Sequence, residues 1–318
     1  MSRIHTIDTH YLGHAKFAAV YLLIEDRKAI FFDNNTNAAV PRLLQALENQ
    51  GLAPEQVEYL IITHVHLDHA GGTSAMAQAC PNATILAHPR AAPHIINPGK
   101  LIASASAVYG QDEFERLYGH IEAVPADRVR VMDDEESLSF GSRELRFLHT
   151  RGHANHHFCI VDSGSEAIIA GDAFGLHYPA LQRAGTFAFP STSPTDFEPE
   201  PARASVQRLV DERPRCIYLT HYGAVTDIDT AAGQLIRHLD FAERLRDEAE
   251  GSDFADEALE AYCRARLHDY FSGLLDALGS VSHDATLRAL IQLDIDLNAQ
   301  GIAFAANKRR RKARDHAR

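Results

Sequence analysis

Four potential metal ligands fall within six consecutive residues, 64–69, which read His-Val-His-Leu-Asp-His. The apolar run Tyr59–Thr63 before them is typical of a buried strand. Because alternate side chains of an extended segment point the same way, His64 and His66 share one side. A helix-like run at 74–79 follows, so the last two potential ligands lie at a strand-to-helix corner. The spacing predicts a site that can hold two metal ions.

Four single residues elsewhere follow apolar runs in the same manner. They are Asp33, His153, Asp172 and His221. In α/β proteins, functional groups collect where strands end along one edge of a sheet. A lone histidine or aspartate at such a place is ordinarily a turn or cap residue, so it is their joint recurrence that indicates a metal site.

These motifs resemble those of the metallo-β-lactamase superfamily over about the first 225 residues of the chain. The resemblance covers the segment 64–69, the Gly-His pair at 152–153, Asp172 and His221. It implies an αβ/βα sandwich, two mixed sheets packed together with helices outside. It also implies a ligand set, with His64, His66 and His153 on metal 1, Asp68, His69 and His221 on metal 2, and Asp172 bridging both.

Departures from the family pattern narrow the range of substrates that the resemblance implies. True metallo-β-lactamases commonly use a cysteine where this chain has Asp172, and they hold the antibiotic with a lysine. No lysine occurs between Lys100 and Lys308, which disfavours β-lactam and glutathione thioester substrates. Flavodiiron oxygen reductases have Glu where this chain has His66, and this difference disfavours diiron redox chemistry of their kind. The family's Asp-x-Gly motif is Asp33-Asn-Asn here, and asparagine tolerates the left-handed conformation that glycine would supply.

Imidazole and carboxylate ligands suit two divalent ions, zinc first, with iron or manganese as alternatives. Such a site leaves positions open for a bridging water and a substrate oxygen. We expect Asp68 to accept the proton of the nucleophile while it also contacts metal 2. Asp33 and His157 are expected to orient the ligand histidines without binding a metal themselves. His177, Tyr178 and Tyr222 are the candidate substrate contacts.

The reaction predicted from this site is hydrolysis of an ester, thioester or lactone carbonyl in a small-molecule substrate. Three alternatives stay open at this point. They are a mononuclear iron dioxygenase of persulfide type, a phosphodiesterase or nuclease, and a non-catalytic regulator that binds a metabolite. The net charge of −12 disfavours binding to a nucleic-acid backbone.

Past about residue 228 the apolar residues recur at helical spacing, with Gly251-Ser252 and Gly279-Ser280 separating three predicted helices. We therefore expect a catalytic domain at 1–227 and a helical extension at 228–306 that caps the site or forms a homodimer interface. The basic run that opens at Lys308 predicts a disordered tail at 307–318.

The four cysteines are widely scattered, which disfavours a disulfide framework. The first residues lack the apolar core of a signal peptide, and no run of 18 apolar residues is present to span a membrane. These features predict a cytoplasmic protein without membrane partners.

Overall fold

The computed structural model describes residues 4–194, 196–254, 256–277 and 285–316. By its internal contacts the chain divides into two compact units. The first, which we call the sandwich unit, comprises Met1–Thr150, His156–Gly171 and Pro214–Thr226. The second, which we call the helical unit, comprises Arg151–Asn155, Asp172–Arg213 and Asp227–Arg318. The domain boundaries expected at 227 and 306 stay predictions.

Two mixed six-stranded sheets make up most of the sandwich unit. The strands of the first sheet follow the order of the chain, and the first three pair antiparallel and the rest parallel. They are β1 (Ile4–Asp8), β2 (Ala19–Glu25), β3 (Lys28–Phe32), β4 (Val57–Ile62), β5 (Thr84–Ala87) and β6 (Val129–Val131).

The second sheet is antiparallel except for one parallel pair. Its spatial order is again the order of the chain. The strands are β7 (Ser137–Phe140), β8 (Arg143–His149), β9 (Phe158–Asp162), β10 (Ala167–Ile169), β11 (Cys216–Leu219) and β12 (Gly223–Val225). The pair β10–β11 is the parallel one, and it brings the chain segments after both strands to the same edge.

One apolar cluster joins the two sheets, with Tyr21, Phe32 and Ile61 from the first and Phe147 and Ile160 from the second. Side chains alternate along β4, so Ile61 faces this cluster while its neighbours face a second cluster under the helices. Because both faces of the second half of β4 are buried, Tyr59–Ile62 is an apolar run, as the sequence predicted.

Six helices belong to the sandwich unit in its described residues, and the first, third and fourth pack on the outer face of the first sheet. They are α1 (Val40–Asn49), α2 (Leu67–Ala70), α3 (Thr73–Ala79), α4 (Ala92–Ile96), α5 (Gly99–Tyr109) and α6 (Gln111–Tyr118). Pro41 lies in the first turn of α1, where the missing N–H leaves no hydrogen bond unmade.

The helical unit contains four α-helices in its described part. They are α7 (Pro199–Asp211), α8 (Ile228–Gly251), α9 (Asp256–Ala277) and α10 (Ala285–His316). The predicted helical region after residue 228 is confirmed, and α8 ends at Gly251 as expected. The second predicted break, at Gly279-Ser280, lies outside the described residues. None of the helices in the described ranges combines the length and the apolar composition needed to cross a bilayer.

The basic residues near the end of the chain differ from expectation. Residues 307–316 form the last turns of α10, where the sequence predicted a disordered tail. The guanidinium of Arg310 donates hydrogen bonds to backbone carbonyls at and just beyond the end of α8, including those of Glu250 and Phe254. Arg309 pairs with Asp247. The cations therefore satisfy the carbonyls and partial negative charge at a helix C-terminus, which orders them.

A buried ion cluster links the two sheets at the far ends of β2, β8 and β9. Arg143, whose side chain is 2% exposed, pairs with both Glu25 and Asp162. Burial raises the pKa of Glu25, but hydrogen bonds from Ser142 and Arg143 outweigh this and lower that pKa to about 2. The carboxylate therefore stays ionised over the neutral range, and its stabilising effect is lost only as the pH falls from about 4.5 through 2.

We expect Arg143→Ala to lower the free energy of unfolding by about 3–5 kcal/mol, because it leaves two carboxylates buried without their cation. The matched control is Arg146→Ala on the same strand, which breaks the exposed pair with Glu135 and should lower it by at most about 1 kcal/mol. Urea denaturation of both variants measures the difference, and equal losses would contradict this account.

Candidate metal centre

The histidine-rich turn follows β4 directly. His64 and His66 share a side, as the spacing predicted, and their nearest ring nitrogens, Nε2 and Nδ1, are 2.9 Å apart. The chain then enters α2, which places Asp68 and His69 in its first turns. His64 and His69 are fully buried, while Asp68 keeps part of its carboxylate exposed.

His221 comes from the other sheet, two residues after β11. Its Nε2 lies 3.1 Å from Oδ2 of Asp68, and Nε2 of His69 lies 3.8 Å from the same oxygen. The ligand atoms of these three residues all lie within 4.8 Å of one another. The sandwich unit by itself therefore assembles two imidazoles and a carboxylate around one point.

Asp33 lies behind this group, 2% exposed, at the end of β3. Its carboxylate accepts hydrogen bonds from Nδ1 of His69 at 2.9 Å and from Oγ1 of Thr220 at 3.1 Å. It also accepts from the backbone N–H of Thr63 at 2.8 Å and from the Thr63 hydroxyl at 2.9 Å. With Nδ1 of His69 donating to Asp33, Nε2 is the ring nitrogen that carries the lone pair, and it faces Asp68.

The same carboxylate acts on His64 through Thr63. The Thr63 hydroxyl has one hydrogen, and it donates that hydrogen to a hydrogen bond with Asp33. Its oxygen can therefore only accept a hydrogen bond from His64, whose Nδ1 is 3.2 Å away. Nδ1 of His64 is therefore protonated and its Nε2 carries the lone pair. In His221 the Phe17 carbonyl has this role. It accepts a hydrogen bond from Nδ1 at 3.0 Å, so that Nε2 of His221 carries the lone pair.

The turn that carries Asp33 departs from the family's Asp-x-Gly pattern without losing its shape. Asp33 and Asn35 adopt left-handed conformations, with φ of 60° and 56°. Asn35 also donates from its side chain to the Asp68 carbonyl at 2.7 Å, which fixes the first turn of α2. As the sequence predicted, asparagine serves where glycine is common, and here it adds a hydrogen bond.

His157 lies against the back of His64, with ring centroids 4.8 Å apart. It is fully buried, and its Nδ1 is 2.8 Å from Oγ1 of Thr150. Gly171, with φ of 47°, lets the chain pass closely, since a Cβ there would lie 2.6 Å from Nε2 of His157. The structure thus places His157 as a supporting residue, and its role toward a metal stays a prediction.

His153 and Asp172 belong to the helical unit and are both buried. Nε2 of His153 lies 3.4 Å from Oδ2 of Asp172, and its Nδ1 donates to the Ser191 carbonyl at 3.1 Å. Gly152 precedes them with φ of 119°, and a Cβ there would lie 2.2 Å from the backbone of Ala202. The Gly-His motif is therefore a packing requirement as well as a ligand signal.

The three candidate substrate contacts differ in their exposure and in their surroundings. Tyr178 is 1% exposed, packs edge-on against Phe189, and its hydroxyl lies 3.3 Å from Oδ1 of Asp294, which is the environment of a core residue. Tyr222 is half-buried against the core between the sheets, where burial and Asp8 raise its pKa to about 12. His177 is half-buried. A substrate role for these three stays a prediction.

Sequence reasoning missed the threonines. Thr63 and Thr220 each precede a candidate ligand histidine, and both donate to Asp33. The repeated Thr-His pair at the ends of two apolar runs was the signal that could have found them. The Phe17 carbonyl had no such signal, because it is a backbone group far away in the chain.

The donor groups fit the metals that the sequence implied. Four buried histidines have one ring nitrogen held by a carboxylate, a carbonyl or a hydroxyl: His64, His69, His153 and His221. Such partners are usual for ligating histidines, since they fix the tautomer and the ring orientation. Imidazole nitrogens and carboxylate oxygens suit zinc, iron and manganese.

Two mixed sheets packed face to face, with histidines and aspartates clustered at strand ends, define an αβ/βα sandwich with a candidate metal site at one edge. The family model of the metallo-beta-lactamase superfamily matches residues 15–221. The chain therefore belongs to the metallo-beta-lactamase superfamily, which confirms the family and the fold predicted from the sequence.

Relatives differ in what their names describe. The metallo-beta-lactamase fold-containing protein ST1585 of Sulfurisphaera tokodaii is 21% identical over 227 residues, 70% of this chain and 79% of that protein. Its crystal structure matches with a TM-score of 0.65 at 18% identity, over 94% of this chain and 97% of that one.

Two further relatives are matched over smaller parts. A hydroxyacylglutathione hydrolase-like protein of Gallus gallus is 30% identical over 161 residues, 48% of this chain and 43% of that protein. The rubredoxin-oxygen oxidoreductase of Megalodesulfovibrio gigas is 28% identical over 162 residues, 51% of this chain and 34% of that protein.

We expect Asp33→Asn to weaken metal binding about 10- to 100-fold, since the candidate ligand His69 loses a charged partner. Asparagine also tolerates φ of 60°, so the backbone should be kept. The matched control is Asp26→Asn, an exposed aspartate with φ of 49° in the turn between β2 and β3. Competition with a chelator at neutral pH measures both, and an unchanged affinity in Asp33→Asn would refute the role given to this carboxylate.

Proposed function

We propose that the protein is a dinuclear metal-dependent hydrolase that acts on the carbonyl of an ester, thioester or lactone. The observation that carries this is the group Asp68, His69 and His221, whose ligand atoms converge while the other ring nitrogens of both histidines are held by Asp33 and by the backbone of Phe17. Structural metal sites close all their positions with protein ligands. Two ions that shared the seven protein ligands assigned below would keep positions for a water and a substrate oxygen.

We assign the ligands as the family's motifs do. His64, His66 and His153 would hold one ion, Asp68, His69 and His221 the other, and Asp172 would bridge them. Two divalent ions held by these residues would supply a water nucleophile at neutral pH, because bound metal lowers the pKa of water toward about 7. Zinc is the first choice, and iron or manganese suit the same donors.

The chain's own groups then have separate tasks. Asp68 would accept the proton of the nucleophile, because its side chain is 25% exposed and can pass the proton on to solvent. Asp33 would keep the Nε2 lone pairs of His64 and His69 directed toward the ions throughout the reaction. Neither task requires Asp33 to touch the substrate, so it is a positioning residue.

The hydroxyacylglutathione hydrolase-like relative supports hydrolysis of an acyl group. The lysine-free stretch between Lys100 and Lys308 argues against β-lactams and glutathione thioesters as the particular substrates. The net charge of −12 also makes a phosphodiester backbone a poor partner. Turnover of bis-p-nitrophenyl phosphate in preference to carboxylic esters would replace this proposal with a phosphodiesterase.

Iron-dependent redox chemistry is the second candidate, and the rubredoxin-oxygen oxidoreductase relative is the observation that favours it. Metal analysis of protein purified without added metal separates the two. Iron together with sulfite production from glutathione persulfide would support a dioxygenase, whereas zinc with ester turnover supports the hydrolase. Metabolite binding without any turnover would support a regulator.

We expect His66→Ala and Asp172→Ala each to lose bound metal and esterase activity together, while thermal unfolding shows a folded protein. His120→Ala is the matched control, since the side chain of this histidine is 85% exposed and pairs with Glu122, while its backbone contact with Asn37 is kept in the variant. Metal content by emission spectrometry and initial rates are measured on the same preparations. Turnover that persists with metal-free protein would overturn the mechanism.

A further inference from the structure

The candidate ligand His153 is oriented by a backbone carbonyl rather than by a side chain. Nδ1 of His153 donates to the carbonyl of Ser191 at 3.1 Å, and a carbonyl can only accept. In the neutral ring Nε2, the nitrogen beside Asp172, therefore carries the lone pair. This tautomer and ring orientation are kept only as long as Ser191 is held in place.

Ser191 lies near the end of the segment 172–193, which begins at the candidate ligand Asp172. The segment turns back on itself, since Leu176 and Phe189 exchange two backbone hydrogen bonds at 2.8 and 3.2 Å. The carbonyl that orients one candidate ligand thus belongs to the same folded segment as another. This segment, His153 and α10 all lie in the helical unit.

The side chain of Asn298 in α10 binds this segment on both sides of Ser191. Its Oδ1 accepts from the backbone N–H of Thr192 at 2.7 Å, and its Nδ2 donates to the carbonyl of Pro190 at 3.2 Å. The Thr192 hydroxyl donates to the backbone carbonyl of Asn298 at 3.1 Å. Because a backbone N–H only donates and a carbonyl only accepts, these partners fix the orientation of the Asn298 amide.

The contact between α10 and the segment is close and shielded from water. Asn298 is 3% exposed, so its hydrogen bonds would not be replaced by water if they were broken. A Cβ at Gly301 would lie 1.5 Å from the carbonyl oxygen of Thr192, so glycine is what lets the helix approach. Asp294 accepts from the Tyr178 hydroxyl at 3.3 Å. The spacing of four and three residues places Asp294, Asn298 and Gly301 on one face of α10.

We propose that Asn298 is a positioning residue for His153. By holding residues 190 and 192, it keeps the carbonyl of Ser191 directed at Nδ1 and so keeps Nε2 available to an ion. The inference rests on the proposed function, since it takes His153 as a metal ligand. It gives the C-terminal helices a part in the metal centre through α10, which is neither a cap over the site nor a dimer interface.

The first experiment measures zinc affinity by competition with a chelator, on the full chain, in wild type and in Asn298→Ala. We expect the variant to bind one of two zinc equivalents about 10- to 100-fold more weakly, the usual effect of losing a partner behind a ligand histidine. The other equivalent should be unchanged, because the substitution leaves Asp33 and Phe17, the partners of His69 and His221, as they are.

Two control variants separate positioning from stability. Asn307→Ala makes the same substitution further along α10, at a half-buried side chain. Leu267→Ala removes buried apolar atoms from α9 and so destabilises the helical unit, which thermal unfolding measures. Both controls should keep both zinc affinities. Unchanged affinities in Asn298→Ala, or the same weakening in Leu267→Ala, would overturn the positioning role while leaving the hydrolase proposal standing.

A second variant covers the case in which Asn298→Ala does not fold. Asn298→Asp has nearly the same shape, keeps the oxygen that accepts from Thr192, and removes the donor to the carbonyl of Pro190. We expect it to weaken the same zinc equivalent. Unchanged affinity for both equivalents in this variant would overturn the inference in the same way.

A second readout requires neither bound metal nor turnover. Nitrogen-correlated NMR of the metal-free protein follows solvent exchange of the Nδ1 proton of His153, assigned as the signal that is lost in His153→Gln. Exchange should be slow in wild type, because the Ser191 carbonyl holds this proton. Asn298→Ala should lose that protection and Leu267→Ala should keep it.

The two readouts separate this inference from the proposed reaction. Loss of the protection in Asn298→Ala, together with a wild type that hydrolyses no ester, would support the positioning role and contradict the reaction alone. The same exchange rate in wild type and Asn298→Ala, or an equal loss of protection in Leu267→Ala, would overturn the positioning role.

Discussion

The candidate metal centre in the sandwich unit depends on one buried carboxylate. Asp33 is almost fully removed from water, and a buried charge is tolerated only where hydrogen bonds replace its hydration. It receives them from the segment after β4, from α2 and from the segment after β11. Because these segments carry His64, His69 and His221, the hydrogen bonds that stabilise the buried charge also bring these candidate ligands to one edge of the sandwich.

Asp33 also determines protonation. A ligating histidine must present a lone pair, and which nitrogen has it depends on what the other nitrogen donates to. Asp33 accepts a hydrogen bond from Nδ1 of His69 directly. It also accepts the hydrogen bond of the Thr63 hydroxyl, so that Nδ1 of His64 must donate to the oxygen of that hydroxyl. Under the proposed ligand assignment these two histidines hold different ions. One carboxylate would then orient a ligand on each.

Much of this could be predicted from the sequence, because the signals are local. The apolar run of β4, the spacing of His64 and His66 and the turn after them follow from backbone geometry. The packing of Arg310 on the end of α8 could not be predicted, since its carbonyl partners lie about 60 residues away and carry no side-chain signal. The same holds for the Phe17 carbonyl. Contacts to the backbone leave no trace in the residue types that make them.

The partners behind the histidines are not equivalent, and this has a consequence for the site. His69 donates to a carboxylate, whereas His221 donates to the neutral carbonyl of Phe17. A hydrogen bond to an ionised acceptor is the stronger of the two and makes the imidazole more basic. His69 is therefore the stronger electron donor of the pair that faces Asp68, and His221 the weaker one. An ion held by this group would therefore receive more electron density from His69 than from His221, so the loss of the Asp33 carboxylate would weaken its binding more than the loss of a neutral acceptor.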